Sequence, residues 1–383
     1  MHRDRFPGLD DGWARLDGPA GSQMVDSAIE AIAGWMRSGD AANHGGAFRA
    51  ARRTDALVAS TRETVARLLV AEPRGIVFGA SMTALTMRFA AAVGRTLAPG
   101  DEIVCTRLDH DANVAPWLIA AGRAQARVRF ADPAPDTLEL PAAAVEAVLG
   151  PRTRWVAVTA ASNAVGSIPD LPGIVAAARR AGARVFVDAV HATPHRPLDF
   201  AALGCDALAC SAYKWYGPHV AVLAARPDVL AELTPDKLRP SADTVPERWE
   251  LGTLPFEALA GVRAAAEFLL TLDRAALRAH EDGLLRAMLE GLGAIDGVTL
   301  YGAARERTPT VMFTVAGHTP QAVAAALARE DVAVWDGNYY ALELLTHLGL
   351  EPAGAVRAGA LAYNDADDVR RLVDGVARIA AGS

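Results

Sequence analysis

The stretch Arg184-Val185-Phe186-Val187-Asp188-Ala189-Val190-His191, and after it Ala207-Leu208-Ala209-Cys210-Ser211-Ala212-Tyr213-Lys214-Trp215-Tyr216-Gly217-Pro218, sets the architecture of this 383-residue chain. Each contains a short apolar run without alternation, which implies a strand covered on both faces, and each run leads into a polar or charged side chain. Working outward, similar runs recur at residues 75–78, 102–106, 125–130, 155–159 and 220–224, so with 184–188 and 207–210 seven strands are expected. Ala-rich helical patterns such as residues 171–181 fill the gaps. Alternation of this kind is the signature of βαβ units around a mainly parallel sheet.

Beyond Gly252 long Ala/Leu/Arg helical patterns take over at residues 256–272 and 274–292, with strands expected at 298–301, 310–315 and 356–362. Asn364-Asp365-Ala366-Asp367 then offers N-cap oxygens to a last helix ending near residue 381. The expected organisation is an α/β chain, with a large domain over residues 21–260 and a smaller α+β domain built from 1–20 and 261–383.

Hydrophobic residues make up 51% and charged residues 22%, a balance that supports a folded core and excludes a disordered chain. The net charge of −7 opposes binding to nucleic acid or anionic lipid. The isolated pairs Arg52-Arg53 and Arg179-Arg180 read as solvated helix faces. No run approaches the roughly 20 apolar residues of a membrane span. Residues 1–10 alternate charged and apolar side chains without a signal-peptide core, so a cytoplasmic protein is expected. Cys105, Cys205 and Cys210 are too few and too irregularly spaced for a disulfide framework or a four-ligand zinc site. They are expected to be small buried hydrophobes, and no metal is expected.

In an open parallel sheet a ligand lies beyond the carboxyl ends of the strands. Gly79-Ala80-Ser81-Met82-Thr83 follows one strand and opens a helix, where free backbone N–H groups make either a phosphate cradle or a plain capped terminus. Asp188, at a strand end, either pairs with a protonated ring nitrogen or caps a helix. Lys214 lies between aromatic neighbours straight after a buried strand. That is a place for an amine of depressed pKa that forms an imine, or for a snorkelling lysine.

Together these residues resemble class V aminotransferase-fold enzymes of the cysteine desulfurase-like group, over nearly the whole chain. The resemblance implies the fold type I of PLP-dependent transferases, with pyridoxal phosphate (PLP) joined to Lys214 and Asp188 paired to its pyridine nitrogen, which keeps the ring an electron sink. Residues 106–117, Thr-Arg-Leu-Asp-His-Asp-Ala-Asn-Val-Ala-Pro-Trp, resemble the segment whose first histidine stacks on the ring, here His110. Ala161-Ser162-Asn163-Ala164-Val165-Gly166 resembles the family's Ser-Asn-x-x-Gly turn, which implies Asn163 beside the phenolic oxygen and the substrate. By the same likeness His191 contacts the phenolic oxygen, and Ser81, Met82, Thr83 and Ser211 hold the phosphate. Tyr213, where the family has histidine, would donate its hydroxyl to that phosphate.

Arg248-Trp249-Glu250-Leu251-Gly252-Thr253 resembles the segment that crosses a homodimer, so Thr253 would reach the neighbouring site. Val356-Arg357-Ala358-Gly359 resembles the strand whose arginine grips the substrate carboxylate, a bidentate task suited to Arg357. Residues 16–23 and 42–48 resemble pieces that line the substrate mouth, which adds Ala20 and His44 to Tyr339 and Tyr340 as substrate contacts.

One loop departs from the pattern. In Trp335-Asp336-Gly337-Asn338-Tyr339-Tyr340-Ala341-Leu342, Tyr340 stands where the desulfurases place a nucleophilic cysteine, and no cysteine follows Cys210. A phenol cannot do thiolate chemistry. The expectation is therefore an amino-acid-processing PLP enzyme of the subgroup lacking the loop cysteine. The small-molecule substrate's amine displaces Lys214, the freed lysine removes the Cα proton, and the C–S bond of a cysteine-like substrate breaks by β-elimination. Transamination, racemisation and other α- or γ-carbon chemistry share the first steps. A non-catalytic, PLP-bound partner of sulfur-transfer proteins is a different class, against which the intact Lys214, Asp188 and Arg357 argue. A P-loop or Rossmann enzyme is disfavoured because neither glycine fingerprint follows a strand.

Overall fold

Seven strands form one sheet in the computed structural model, which describes residues 2–382. They are β1 (Ile76–Gly79), β2 (Glu102–Thr106), β3 (Arg127–Ala131), β4 (Thr153–Thr159), β5 (Arg184–Asp188), β6 (Ala207–Ser211) and β7 (Ala221–Ala225), in the spatial order β1-β7-β6-β5-β4-β2-β3. β7 runs antiparallel to both its neighbours, and every other pairing is parallel. Alternate residues of β5 enter different cores: Val185 and Val187 join one cluster, Phe186 the cluster on the opposite face. Burial on both faces is why the run shows no hydrophobic alternation. The register places Asp188 beside Thr159 and Ala209, which lines up the strand ends that carry polar side chains.

Helices α1 (Asp26–Arg37), α2 (Arg49–Leu69), α3 (Met82–Gly94) and α4 (Leu171–Arg180) belong to this first layer system. A fifth, α5 (Phe256–Thr271), packs on α1 and α2. Helices α6 (Arg274–Gly293) and α7 (Ala366–Ala381) pack on each other beside a second sheet. Its strands are β8 (Val298–Tyr301), β9 (Thr310–Val315), β10 (Trp335–Gly337) and β11 (Ala355–Gly359), all antiparallel in the order β10-β11-β9-β8. Asp365 caps α7, and Asp368 returns the bond in a capping box, as the Asn-Asp-Ala-Asp signature predicts.

Several strand boundaries differ from the sequence reading, and at two of them the cause is visible. The strand expected at 125–130 starts at Arg127, because Gln125 turns at φ 54° and its carbonyl accepts from Gly100 N–H. The strand expected at 356–362 spans Ala355–Gly359, because Ala360 N–H goes to Pro309 and Leu361 N–H to the Asn364 side chain. An N-terminal strap ties the two sheets to the site between them. Ala14–Arg15 pairs with Val332–Ala333, Asp17 bridges to Gly359, and Ser22 Oγ donates to Tyr213 O at 3.0 Å.

All three cysteines are buried and unbridged, and Arg52, Arg53, Arg179 and Arg180 are exposed, as expected. Among the described residues no helix is long and apolar enough to cross a membrane, and no His/Cys/Asp/Glu group could hold a metal ion.

Candidate active site

The carboxyl ends of β1, β4, β5 and β6 surround a cavity lined by Ser81, Met82, Thr83, His110, Asn163, Asp188, His191, Ser211, Tyr213 and Lys214. Ten of the side chains singled out in the sequence thus converge on one space. Lys214 lies in a single 3-10 turn after β6, and Asp188 is the last residue of β5. Both are buried, and neither has an ionised partner within ion-pair distance among the described residues. The Lys214 ammonium donates to Pro19 O, and Asp188 Oδ1 accepts from Val190 N–H at 2.9 Å.

Burial dominates the electrostatics. It brings the Lys214 amine down to about 7, helped by the Arg357 charge. It lifts the Asp188 carboxyl to about 6. His110 falls to about 4 through burial and the charges of Lys214 and Arg357. Its Nδ1 accepts from Ala112 N–H at 2.9 Å, so the neutral ring carries its proton on Nε2. His191, deep in the wall, is held well below the ordinary histidine value by burial. Its Nε2 meets Thr308 Oγ1 at 2.9 Å and Thr310 Oγ1 at 3.0 Å.

At the phosphate end Ser81 caps α3, its Oγ accepting from Ala84 N–H at 3.1 Å. The capped-terminus reading is therefore correct for the hydroxyl. The N–H groups of Met82 and Thr83 still lack intrahelical acceptors and lie at the cavity.

A second cavity of about 530 Å³ continues outward, lined among others by Ala20, Asn163, Trp335, Tyr339, Tyr340 and Arg357. Arg357 is buried on β11 and donates Nη1 to Asn163 O at 2.9 Å. Among the described residues its Nε and the Asn163 Oδ1 have no partner. A buried guanidinium and amide left unsatisfied side by side are costly unless a polar ligand completes them.

The donor set fits PLP. A buried amine sits near a buried carboxylate, a neutral histidine flanks the space, and helix N–H groups lie at one end. Lys214 would join the aldehyde carbon, Asp188 would pair with the ring nitrogen, and the α3 start with Ser211 would hold the phosphate.

His44 and Thr253 are not brought to this cavity. His44 is exposed, with Nδ1 3.7 Å from Asp55 and its ring against Phe256, and Thr253 is exposed on the segment before α5.

Sequence reasoning passed over Asp109, which is fully buried behind His110. Its carboxyl accepts from Thr106 Oγ1 and, at 2.7 Å, from Asn113 Nδ2, while Trp117 Nε1 donates to Asn113 Oδ1 at 3.1 Å. Its place one residue before His110 was the available signal. Thr308 and Thr310 had none, since only tertiary folding carries them to His191.

A profile of the family described as Aminotransferase class-V matches residues 14–372. The chain is 33% identical over 395 residues to an uncharacterized protein of Mycobacterium tuberculosis, covering 98% of each chain. It is 31% identical over 382 residues to a cysteine desulfurase of Pectobacterium atrosepticum, covering 96% of this chain and 93% of that one. Among solved structures it superposes on the apo cysteine desulfurase of Thermococcus onnurineus NA1 with a TM-score of 0.94 at 25% identity, covering 100% of this chain and 98% of that one.

Proposed function

The chain belongs to the class V aminotransferase family, and from that premise we propose that this PLP-dependent, cysteine desulfurase-like enzyme is a C–S lyase that cleaves cysteine-like amino acids by β-elimination. PLP, when bound, supplies the electron sink that makes a Cα proton removable. Arg357, with its unpaired Nε, holds the substrate carboxylate, and Asn163 orients the same end. Lys214, brought to about 7 by burial, is about half in the neutral amine form near neutral pH. It takes the Cα proton and returns it to the departing sulfur. With the cofactor bound, Asp188 would keep the ring nitrogen protonated, His110 would flank the ring and His191 would lie toward its phenolic oxygen.

The Cα–H and Cβ–S bonds break and the S–H bond forms. With one water consumed, the products are a thiol, pyruvate and ammonium.

The observation that carries this reading is the absence of a usable thiol. Tyr340 occupies the loop position of the desulfurase nucleophile. Cys105, Cys205 and Cys210 are all buried, and burial raises each thiol, Cys210 to about 12. A thiol held in that form is a poor sulfur acceptor. The test is to incubate the holoenzyme with cysteine and quantify products. Equimolar pyruvate and sulfide are expected, whereas alanine with a protein persulfide overturns the assignment.

The proposal includes a homodimer in which Thr253 serves the neighbouring phosphate, which its exposure outside its own cavity supports. It also assigns the cofactor to residues 21–260 and the carboxylate anchor to the unit of 1–20 with 261–383. A cytoplasmic location fits the three unbridged cysteines.

A further inference from the structure

We propose that the substrate carries a flat aromatic substituent on its side-chain sulfur, received by Tyr340 and Trp335; this deepens the C–S lyase reading and rests on it. Tyr339 and Tyr340 are consecutive residues at φ 49° and 59°. Side-chain-bearing residues rarely hold this left-handed conformation, and persist there only when their surroundings impose it. Here four hydrogen bonds do so. Asn338 O accepts from Ala341 N–H at 2.7 Å, and Asn338 Oδ1 accepts from Tyr340 N–H at 3.1 Å. Asn163 Nδ2 donates to Tyr339 O at 3.0 Å, and Asp111 N–H donates to Tyr340 O at 2.7 Å.

The backbone is thus clamped to the two loops that carry Asn163 and His110. The clamp stacks the Tyr340 ring on His110, with centroids 5.3 Å apart and planes at 25°.

Trp335 arrives from the other side. It is the register partner of Arg357 in the antiparallel pair β10–β11, so both side chains leave the sheet on the same face. The carboxylate anchor and the indole are therefore one strand spacing apart, about 5 Å. Tyr340 is 70% exposed and Trp335 51% exposed, although both line the cavity that holds Arg357. Two large aromatic rings left in water beside a carboxylate anchor are a receptor for apolar, planar surface.

The space agrees. About 530 Å³ falls within the roughly 300–1,000 Å³ of sites that enclose drug-sized ligands, well beyond what the short side chain of cysteine fills. Asp336 on the same wall opposes an anionic substituent. The substrate class is therefore an S-aryl or S-arylmethyl cysteine conjugate. Elimination consumes one water and releases the aromatic thiol, pyruvate and ammonium.

The experiment is calorimetric binding to the holoenzyme of two analogues that lack the Cα hydrogen, S-benzyl-α-methylcysteine and S-methyl-α-methylcysteine. The benzyl analogue is expected to bind about tenfold more tightly or better, the scale of one stacked aromatic contact with its buried area. Tyr340→Ala should shrink that preference to about threefold or less, and Tyr340→Phe should keep it. Trp335→Ala, on an edge strand, repeats the test should Tyr340→Ala not fold.

Equal affinities in the wild type, or a preference untouched by both alanine variants, overturn the proposal. The two readings fail separately. Benzyl preference without thiol release from S-benzylcysteine sinks the lyase reading while upholding this one. Pyruvate from cysteine with no benzyl preference sinks this one alone.

Discussion

Arg357 lies against Tyr339, its guanidinium carbon 4.4 Å from the ring centre. The Tyr339 hydroxyl donates to Ala355 O, two residues before Arg357 on the same strand, so ring and guanidinium are positioned together. Burial brings the guanidinium down to about 10, which leaves it charged at neutral pH. With a flat ring beneath the plane and Asn163 O at its edge, Nε has no partner among the described residues and is open to the proposed substrate carboxylate. Arg357→Lys keeps a charge and loses both the planar fork and the stack. The expected result is a KM raised about 100-fold with a smaller change in kcat, the scale of a lost charge-assisted bidentate pair. Steady-state kinetics check it, and an unchanged KM refutes the anchor.

Lys214 is the sole amine at the inner cavity among the described residues, and burial has already moved it toward the neutral form. Borohydride should therefore fix the cofactor on the peptide containing Lys214, with no fixation in Lys214→Ala. The pH dependence follows from the sign of the shift. An amine that ionises near 7 is reactive above that value, so the rate of PLP uptake by cofactor-free protein should rise through pH 7 and level off. A rate that keeps climbing toward pH 10 would mean the amine is solvated and ordinary.

Asp109 gives a stability prediction that needs no cofactor. Burial lifts its carboxyl from 3.8 to about 8. Between those values the folded chain keeps a proton that the unfolded chain has lost. Its contribution is therefore complete below pH 3.8 and is lost as pH rises toward 8, at up to about 1.4 kcal/mol per pH unit. Asp109→Asn removes that slope, because an amide does not ionise. The Tm of the cofactor-free variant relative to wild type should thus increase from pH 5 to pH 8. Parallel Tm curves would show that Asp109 is ionised throughout.

Much of this architecture was legible because strands buried on both faces announce themselves. Val185 to Val187 read as one apolar run since each residue finds a core, whichever face it takes. The same logic placed Asp188 and Lys214 at strand ends, where a parallel sheet gathers its ligands. What stayed hidden depends on contacts between segments distant in sequence. Trp335–Gly337 is three residues long and is a strand only because it pairs with β11. The local bonds to Asn338 do not by themselves foretell a left-handed Tyr339-Tyr340 pair, because the distant residues 111 and 163 complete the clamp. Asp109 reads locally as a turn residue, and only its burial reveals a carboxyl without water.

Thr253 and Lys214 supply the last prediction. Thr253 is exposed in its own chain and absent from the lining of its own cavity. If it serves the partner's phosphate, one catalytic site draws on two chains. Lys214→Ala and Thr253→Asp should each be inactive alone, the second because an added carboxylate repels the phosphate. Mixed dimers then hold one site with an intact Lys214 from one chain and an intact Thr253 from the other. Co-expression should restore roughly a quarter of wild-type activity, since half of randomly paired dimers are mixed and each regains one of its two sites. If Thr253 acts within its own chain, every lysine-bearing site in the mixture carries the aspartate and no activity returns. Sedimentation of the mixture distinguishes that result from a failure to form mixed dimers.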